Sequence, residues 1–177
     1  MTYAIVYNSR GGNTKLVAEG LQKALAEAGA EATLTELTTG AVAEASKAVA
    51  QADTVLAGFW TDKGSCTPEM AELLDRLHGK RVFLFGTAGF GGEPAYFERI
   101  LTGVEEKLPQ DATYLGGAMC QGKMGPAVRA RYEAMLVDKP GDARIEAMIA
   151  NFDAALEHPN AADIDAIAAA AKDALGL

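Results

Sequence analysis

Cysteine, histidine and basic charge are all scarce in this chain, and each shortage closes off a class of chemistry. Two cysteines, Cys66 and Cys120, and two histidines, His78 and His158, are spread over 177 residues. Without a secretory signal, two cysteines do not make a disulfide framework. No combination with the histidines has the ligand spacing of a zinc site, so no metal is expected. Both histidines fall near expected helix ends and read as solvated caps. Lysine and arginine number 16 against 24 acids, a net charge of −8. Nucleic acid needs a basic face and is not expected as a partner. The acidic surplus suits docking on a basic protein surface instead. No apolar run is long enough to cross a bilayer, and no charged segment precedes a short apolar one. Membrane insertion is therefore not expected, and a cytoplasmic location is the default.

Several motifs are missing as well. No G-x-G-x-x-G follows the first apolar run, which argues against a nicotinamide-binding Rossmann domain, and no G-x-x-x-x-G-K-[ST] marks a P-loop. Asn8-Ser9-Arg10 supplies none of the clustered acids that a receiver domain would place there. There is no G-x-S-x-G elbow for nucleophilic hydrolysis. Cys66 reads as a small filler in a polar turn rather than a reactive thiol.

What is present is ordinary globular chemistry, 49% apolar and 23% charged, in a length that suits one domain over 1–177. Strand-like and helix-like segments alternate. Tyr3-Ala4-Ile5-Val6-Tyr7 leads into a helix with Val17, Leu21 and Leu25 on one face. A half-exposed strand over 32–37 follows, then an Ala-rich helix over about 42–51. Thr54 to Trp60 forms an apolar strand, and Thr67-Pro68 caps and opens a helix that Gly79 is expected to close. Arg81 to Thr87 is the clearest buried strand. Pro94 opens another helix, and Thr113 to Cys120 is a fifth strand. Middle strands apolar on both faces indicate a parallel sheet covered on both sides. The expected fold is an α/β, doubly wound, five-stranded parallel sheet in the order 2-1-3-4-5. Its ligand site should lie beyond the carboxyl ends of the strands.

The loops at that edge are chemically unusual. Ser9-Arg10-Gly11-Gly12-Asn13-Thr14 joins the first strand to its helix, where free N–H groups and the positive end of the helix dipole face outward. Glycines and hydroxyls there suit a phosphate. The same residues also fit a plain strand-to-helix turn, in which Gly and Asn only supply positive φ. Trp60-Thr61-Asp62-Lys63-Gly64 follows the third strand, Thr87-Ala88-Gly89-Phe90-Gly91-Gly92 the fourth, and Cys120-Gln121-Gly122 the fifth. The loops at the opposite edge look like plain connectors. A phosphate seat, an aromatic and glycine-rich walls together suit a planar, phosphorylated ligand.

These residues resemble the flavodoxin family. The turn over 9–14 is similar to the flavodoxin phosphate loop, with Gly11 standing where that pattern has a second Thr. The other three loops are placed as flavodoxin-like proteins place their flavin-contacting loops, over about residues 3–125. The resemblance implies noncovalently bound FMN. Ser9, Arg10, Gly11, Gly12, Asn13 and Thr14 would hold its phosphate. Trp60, Thr61, Asp62, Lys63 and Gly64 would line one side of the ring. Thr87, Ala88, Gly89, Phe90, Gly91 and Gly92 would line the other, with Cys120, Gln121 and Gly122 nearby. No Tyr stands in the third loop, where the family often stacks one on the flavin. The chain looks like a short-chain flavodoxin with its added length at the C-terminus.

Beyond the fifth strand, Val128, Tyr132, Met135 and Leu136 mark one helix face, and Ile145, Met148, Ile149, Phe152 and Leu156 a second. Asn160 and Asp163 look like a capping pair before a last helix bearing Ile164, Ile167, Ala168, Ala171 and Leu175. These stripes are expected to pack on the same domain, with a core over about 1–157 and a final helix over about 160–176. The functional expectation is an FMN-binding electron-transfer protein that shuttles electrons to or from a partner oxidoreductase. The alternatives are an FMN-dependent NAD(P)H or quinone-type oxidoreductase and a cofactor-free flavodoxin-like interaction module.

Overall fold

The structure, a computed structural model, describes residues 1–91 and 93–177. At its centre lie β1 (Tyr3–Tyr7), β2 (Ala32–Glu36), β3 (Thr54–Trp60), β4 (Arg81–Ala88) and β5 (Thr113–Gln121). They pair in parallel in the order β2-β1-β3-β4-β5, the expected topology. Helices α1 (Asn13–Glu27), α2 (Val42–Val49), α3 (Pro68–Asp75) and α4 (Pro94–Glu105) make the crossovers. Three more, α5 (Pro126–Asp138), α6 (Ala143–Ala155) and α7 (Ala161–Leu175), follow β5.

Two apolar clusters lie on opposite faces of the sheet. On one face, Ile5, Leu56, Phe83 and Phe85 meet Val17, Leu21 and Leu25 of α1 and Ile167, Ala168 and Ala171 of α7. On the other, Val6, Val55, Phe59 and Leu84 meet residues of α2, α3 and α4. Neighbouring strand residues point to opposite faces, so covering both faces makes β3 and β4 continuous apolar runs rather than alternating ones.

The middle of the sheet carries two reciprocal exchanges of ring for glycine. Gly58 of β3 is registered with Phe85 of β4, and Phe59 with Gly86. A Cβ on Gly58 would lie 2.2 Å from the Phe85 ring, and one on Gly86 would lie 2.8 Å from the Phe59 ring. Each ring therefore lies across the neighbouring strand, one on each face. Between β4 and β5 the register slips, with Val82 opposite Tyr114 but Phe83 opposite Gly116, so Leu115 is the extra residue of a bulge.

Two expectations need adjusting. Helix α3 stops at Asp75 rather than running to Gly79, although Leu77 beyond it is still buried. The stripe on α5 does not pack as a whole: only Tyr132 is buried, and Met135 stands exposed. Helix α5 pairs mainly with α6, so that its apolar spacing serves a helical hairpin and not the sheet. Helix α7 packs on the same domain, covering α1 and β5 so closely that Ile164 fills the space beside Gly20. The α5–α6 hairpin is set between the last strand and α7.

Candidate functional site

Parallel order brings the carboxyl ends of β1, β3, β4 and β5 to one edge, and the four expected loops meet there. The turn after β1 is organised from within. Ser9 Oγ accepts hydrogen bonds from the backbone N–H groups of Gly12 (3.1 Å) and Lys15 (3.3 Å). Gly12 has φ 87° at the head of α1, a left-handed geometry that Gly adopts without cost. No acid stands in the first turn of α1. The Asn13 and Thr14 N–H groups have no acceptor among the described residues. Donors of this kind at the positive end of a 15-residue helix suit an anion.

The remaining loops are tied to this turn and to one another. Thr14 is fully buried, and its hydroxyl lies 2.9 Å from that of Thr87. Thr61 donates from both its N–H (2.8 Å) and its hydroxyl (2.9 Å) to the Thr87 carbonyl. Asp62 and Ser65 exchange backbone hydrogen bonds across Lys63 and Gly64, whose φ values of 50° and 83° match a type I′ turn. The Arg10 guanidinium sits 5.5 Å from the centre of the half-buried Trp60 ring. Phe90 is exposed, as its place among glycines suggested.

The glycines of the β4 and β5 loops also let loop pack on loop. A Cβ on Gly89 would fall 2.6 Å from Met124, one on Gly91 2.9 Å from Gln121, and one on Gly122 2.7 Å from Asn13. Cys120 is buried, its side chain in the same apolar cluster as Phe85. Ala88 is likewise buried in the opposite cluster. Gly92 lies outside the described residues.

Sequence reasoning passed over Asn8, which is buried at the end of β1 and donates to the Thr67 hydroxyl (2.6 Å) at the start of α3. Its Oδ1 has no partner among the described residues, and neither does the buried Oδ1 of Asn13. Two orphaned acceptors within one loop cluster call for donors from outside the chain. The only hint in the sequence was an amide directly after an apolar strand. A cleft of about 700 Å³ opens beside Asn8, Ser9, Arg10, Trp60 and Thr67, and the β2 loop at Thr38 and Thr39 closes its far side. A second hollow of about 570 Å³ lies at the opposite edge among Thr2, Tyr3 and Ala30, away from all these loops.

Residues 4–172 match the flavodoxin domain family. The chain belongs to that family. The flavodoxin-like domain-containing protein BilS of Clostridium symbiosum is 40% identical over 175 residues, covering 94% of this chain and 92% of that protein. The protein of the same name from Clostridioides difficile is 29% identical over 164 residues, with coverage of 93% and 90%. A short-chain flavodoxin associated with a non-canonical PDU bacterial microcompartment shares the fold. Its TM-score is 0.51 at 20% identity, over 89% of this chain and 98% of the other. Among the described residues of this flavodoxin-family chain, no helix is long and apolar enough to cross a membrane, and no three metal-ligating side chains cluster.

Both thiols near this edge are muted. Burial raises the Cys66 pKa, and burial with the nearby Asp163 carboxylate pushes that of Cys120 up to about 12. The thiolate is the nucleophile, so its scarcity at neutral pH slows alkylation. Iodoacetamide at pH 7.5 is expected to leave the folded protein unlabelled while urea-unfolded chains take up two labels, as read by intact mass. Rapid single labelling of the folded protein at Cys66 would show that the 61–66 turn opens.

Proposed function

We propose that this chain binds FMN and shuttles electrons to or from a partner oxidoreductase. The observation that carries the reading is the start of α1. Unclaimed N–H groups stand there at the positive dipole end, framed by Ser9 and Gly12 and bolted through Thr14 and Thr87 to the neighbouring loops. The residues fit the cofactor chemically. Ser9 to Thr14 would hold the phosphate, with Arg10 adding positive charge where Gly11 removes a hydroxyl. The orphaned Asn8 Oδ1 would accept from a ribityl hydroxyl. Trp60 to Gly64 would line one side of the ring; Thr87 to Gly91, Gly92 and the 120–122 backbone would line the other.

When bound, FMN accepts and passes on electrons; the protein supplies orientation, polarity and exclusion of water. The Thr61–Thr87 hydrogen bonds join the two ring-lining loops before any ligand arrives, and the Thr14–Thr87 bond ties the phosphate turn to one of them. Pre-formed walls spare the ordering cost of binding. The net charge of −8 favours a basic docking face on the partner.

Purified protein is expected to be yellow, or to become so with FMN; protein that stays colourless would overturn the reading. NADH or NADPH oxidation without a partner protein would move the assignment to a self-sufficient oxidoreductase. For the phosphate seat, Thr14→Ala is expected to weaken FMN binding by roughly ten- to a hundredfold, the worth of one hydrogen bond to a charged group. Riboflavin, which lacks the phosphate, should lose much less. Equal losses in titrations with the two ligands would contradict the seat.

A further inference from the structure

The α5–α6 hairpin stands outside both apolar clusters of the sheet, yet its polar contacts converge on the site. Asn151 of α6 donates from Nδ2 to the Gly89 carbonyl (3.0 Å) and accepts at Oδ1 from Gln121 Nε2 (3.0 Å). Gln121 Nε2 also donates to the same Gly89 carbonyl (3.0 Å). One loop carbonyl thus has both lone pairs engaged by side-chain amides, one of them 62 positions further along the chain. At the base of the hairpin, Lys123 N–H donates to the His158 carbonyl (2.9 Å), and the Lys123 carbonyl accepts from Asn13 Nδ2 (2.8 Å). The insert therefore grips the β4 loop through Asn151 and reaches the head of α1 through its stem.

Surface loops are ordinarily solvated and mobile, and a glycine-rich one more than most. Residues 87–91 carry two glycines within five positions and face solvent at Phe90. Their set conformation needs anchors from outside the loop. Packing supplies part of this, since Gly89 and Gly91 lie flush against Met124 and Gln121. Direction comes from the two amides, because hydrogen bonds fix orientation where apolar contact does not.

We infer that Asn151 is a positioning residue for the cofactor wall: through Gly89 it holds residues 87–91 in the shape that receives the flavin ring. The inference rests on the FMN reading above, and it assigns the α5–α6 insert a role in binding. Asn151 acts on the wall and so on the ring, not on the phosphate. Its loss should weaken FMN and riboflavin alike, the opposite of the Thr14 signature.

The test uses the full chain, with Trp60 as its only tryptophan reporter. Asn151→Ala is expected to weaken both FMN and riboflavin about tenfold, the worth of one net hydrogen bond. In the apoprotein, exchange of the Gly122 and Thr61 N–H groups, which donate to the Ala88 and Thr87 carbonyls of the wall, should quicken while α6 keeps its protection. Asn151→Asp keeps the size and the acceptor for Gln121 but loses the donor to Gly89, and should behave as the Ala variant does. Ala150→Ser, exposed and turned away from the Asn151 face of α6, should change neither measurement. Wild-type affinity with wild-type exchange in Asn151→Ala would overturn the inference. Loss of protection throughout α6 in the Asp variant would also overturn it, since the hairpin would then be acting as general support. If the wild-type protein binds neither flavin, the FMN reading fails, and exchange at Gly122 and Thr61 alone decides whether Asn151 shapes the loop.

Discussion

Gly58→Ala is expected to destabilise this protein by about 2–3 kcal/mol, the upper part of the usual cost of overpacking a core. A methyl group in mid-strand would ordinarily help, by up to about 1 kcal/mol, because it removes freedom from the unfolded chain. Here the new Cβ would lie 2.2 Å from Phe85, a ring with no solvent exposure. Phe85 is packed among residues of α1, α7 and the sheet, so the ring cannot swing aside cheaply. Steric cost should therefore reverse the sign. The same Gly58–Phe85 pair provides an internal check. Phe85→Leu alone opens a gap, but combined with Gly58→Ala it should give a protein less damaged than the two single effects summed. The expected coupling exceeds about 1 kcal/mol, within the range seen for residues in contact. Urea unfolding would read this as a shift in midpoint at unchanged slope. Simple additivity would mean that the strands move apart to admit the methyl.

At the other end of the sheet, Gly12→Val is expected to lower FMN affinity by roughly a hundredfold, a loss matching one or two charge-assisted hydrogen bonds. Riboflavin affinity should fall only a few-fold in the same titration. A Cβ at Gly12 would meet nothing within 4 Å, so crowding cannot be the cause. The cost lies in the backbone, because φ 87° is left-handed and side chains with a Cβ resist it. Relief requires the turn to rotate, and the N–H groups at the head of α1 would rotate with it. A graded series follows from the same argument. Asn, which tolerates left-handed geometry, should be mildest, Ala intermediate, and Val, branched at Cβ, worst. A series ordered by side-chain volume alone would point to steric blocking of the site instead. Equal loss of riboflavin would remove the phosphate from this position.

Much of the architecture was legible because its causes are local. Val82-Phe83-Leu84-Phe85 reads as a buried parallel strand because both faces are covered, and Thr67-Pro68 announces the start of α3. The Asn160 and Asp163 pair is present as a reciprocal capping box. Legibility failed where the cause was a partner distant in sequence. Val128, Tyr132, Met135 and Leu136 show that α5 has an apolar face, but periodicity does not say what, if anything, covers it. Helix α7 was visible as a helix, while its seat against Gly20 depends on a residue 144 positions earlier than Ile164.

The candidate site divides along the same line. Its four loops could be located from glycines and hydroxyls alone, since strand order sends them to one edge. The packing partner of each glycine could not, because Gly89, Gly91 and Gly122 make room for Met124, Gln121 and Asn13. Nor could the burial of the Cys120 side chain be read from its place at the end of a strand. Asn151 gave no signal beyond one amide between two stripe residues of α6, and its contact with Gly89 exists only in three dimensions.

The seat of α7 also bears on how the chain is made. Helix α1 and its face of the sheet have no complete cover until α7 arrives. About 130 residues separate the two helices, so a ribosome adding about 5–20 residues per second needs roughly 6–26 s to deliver the second. During that interval Leu56 and then Phe85 join Leu21 and Leu25 on a face that still lacks its final covering. Completion of that face therefore waits for the last stretch of the chain to be synthesised.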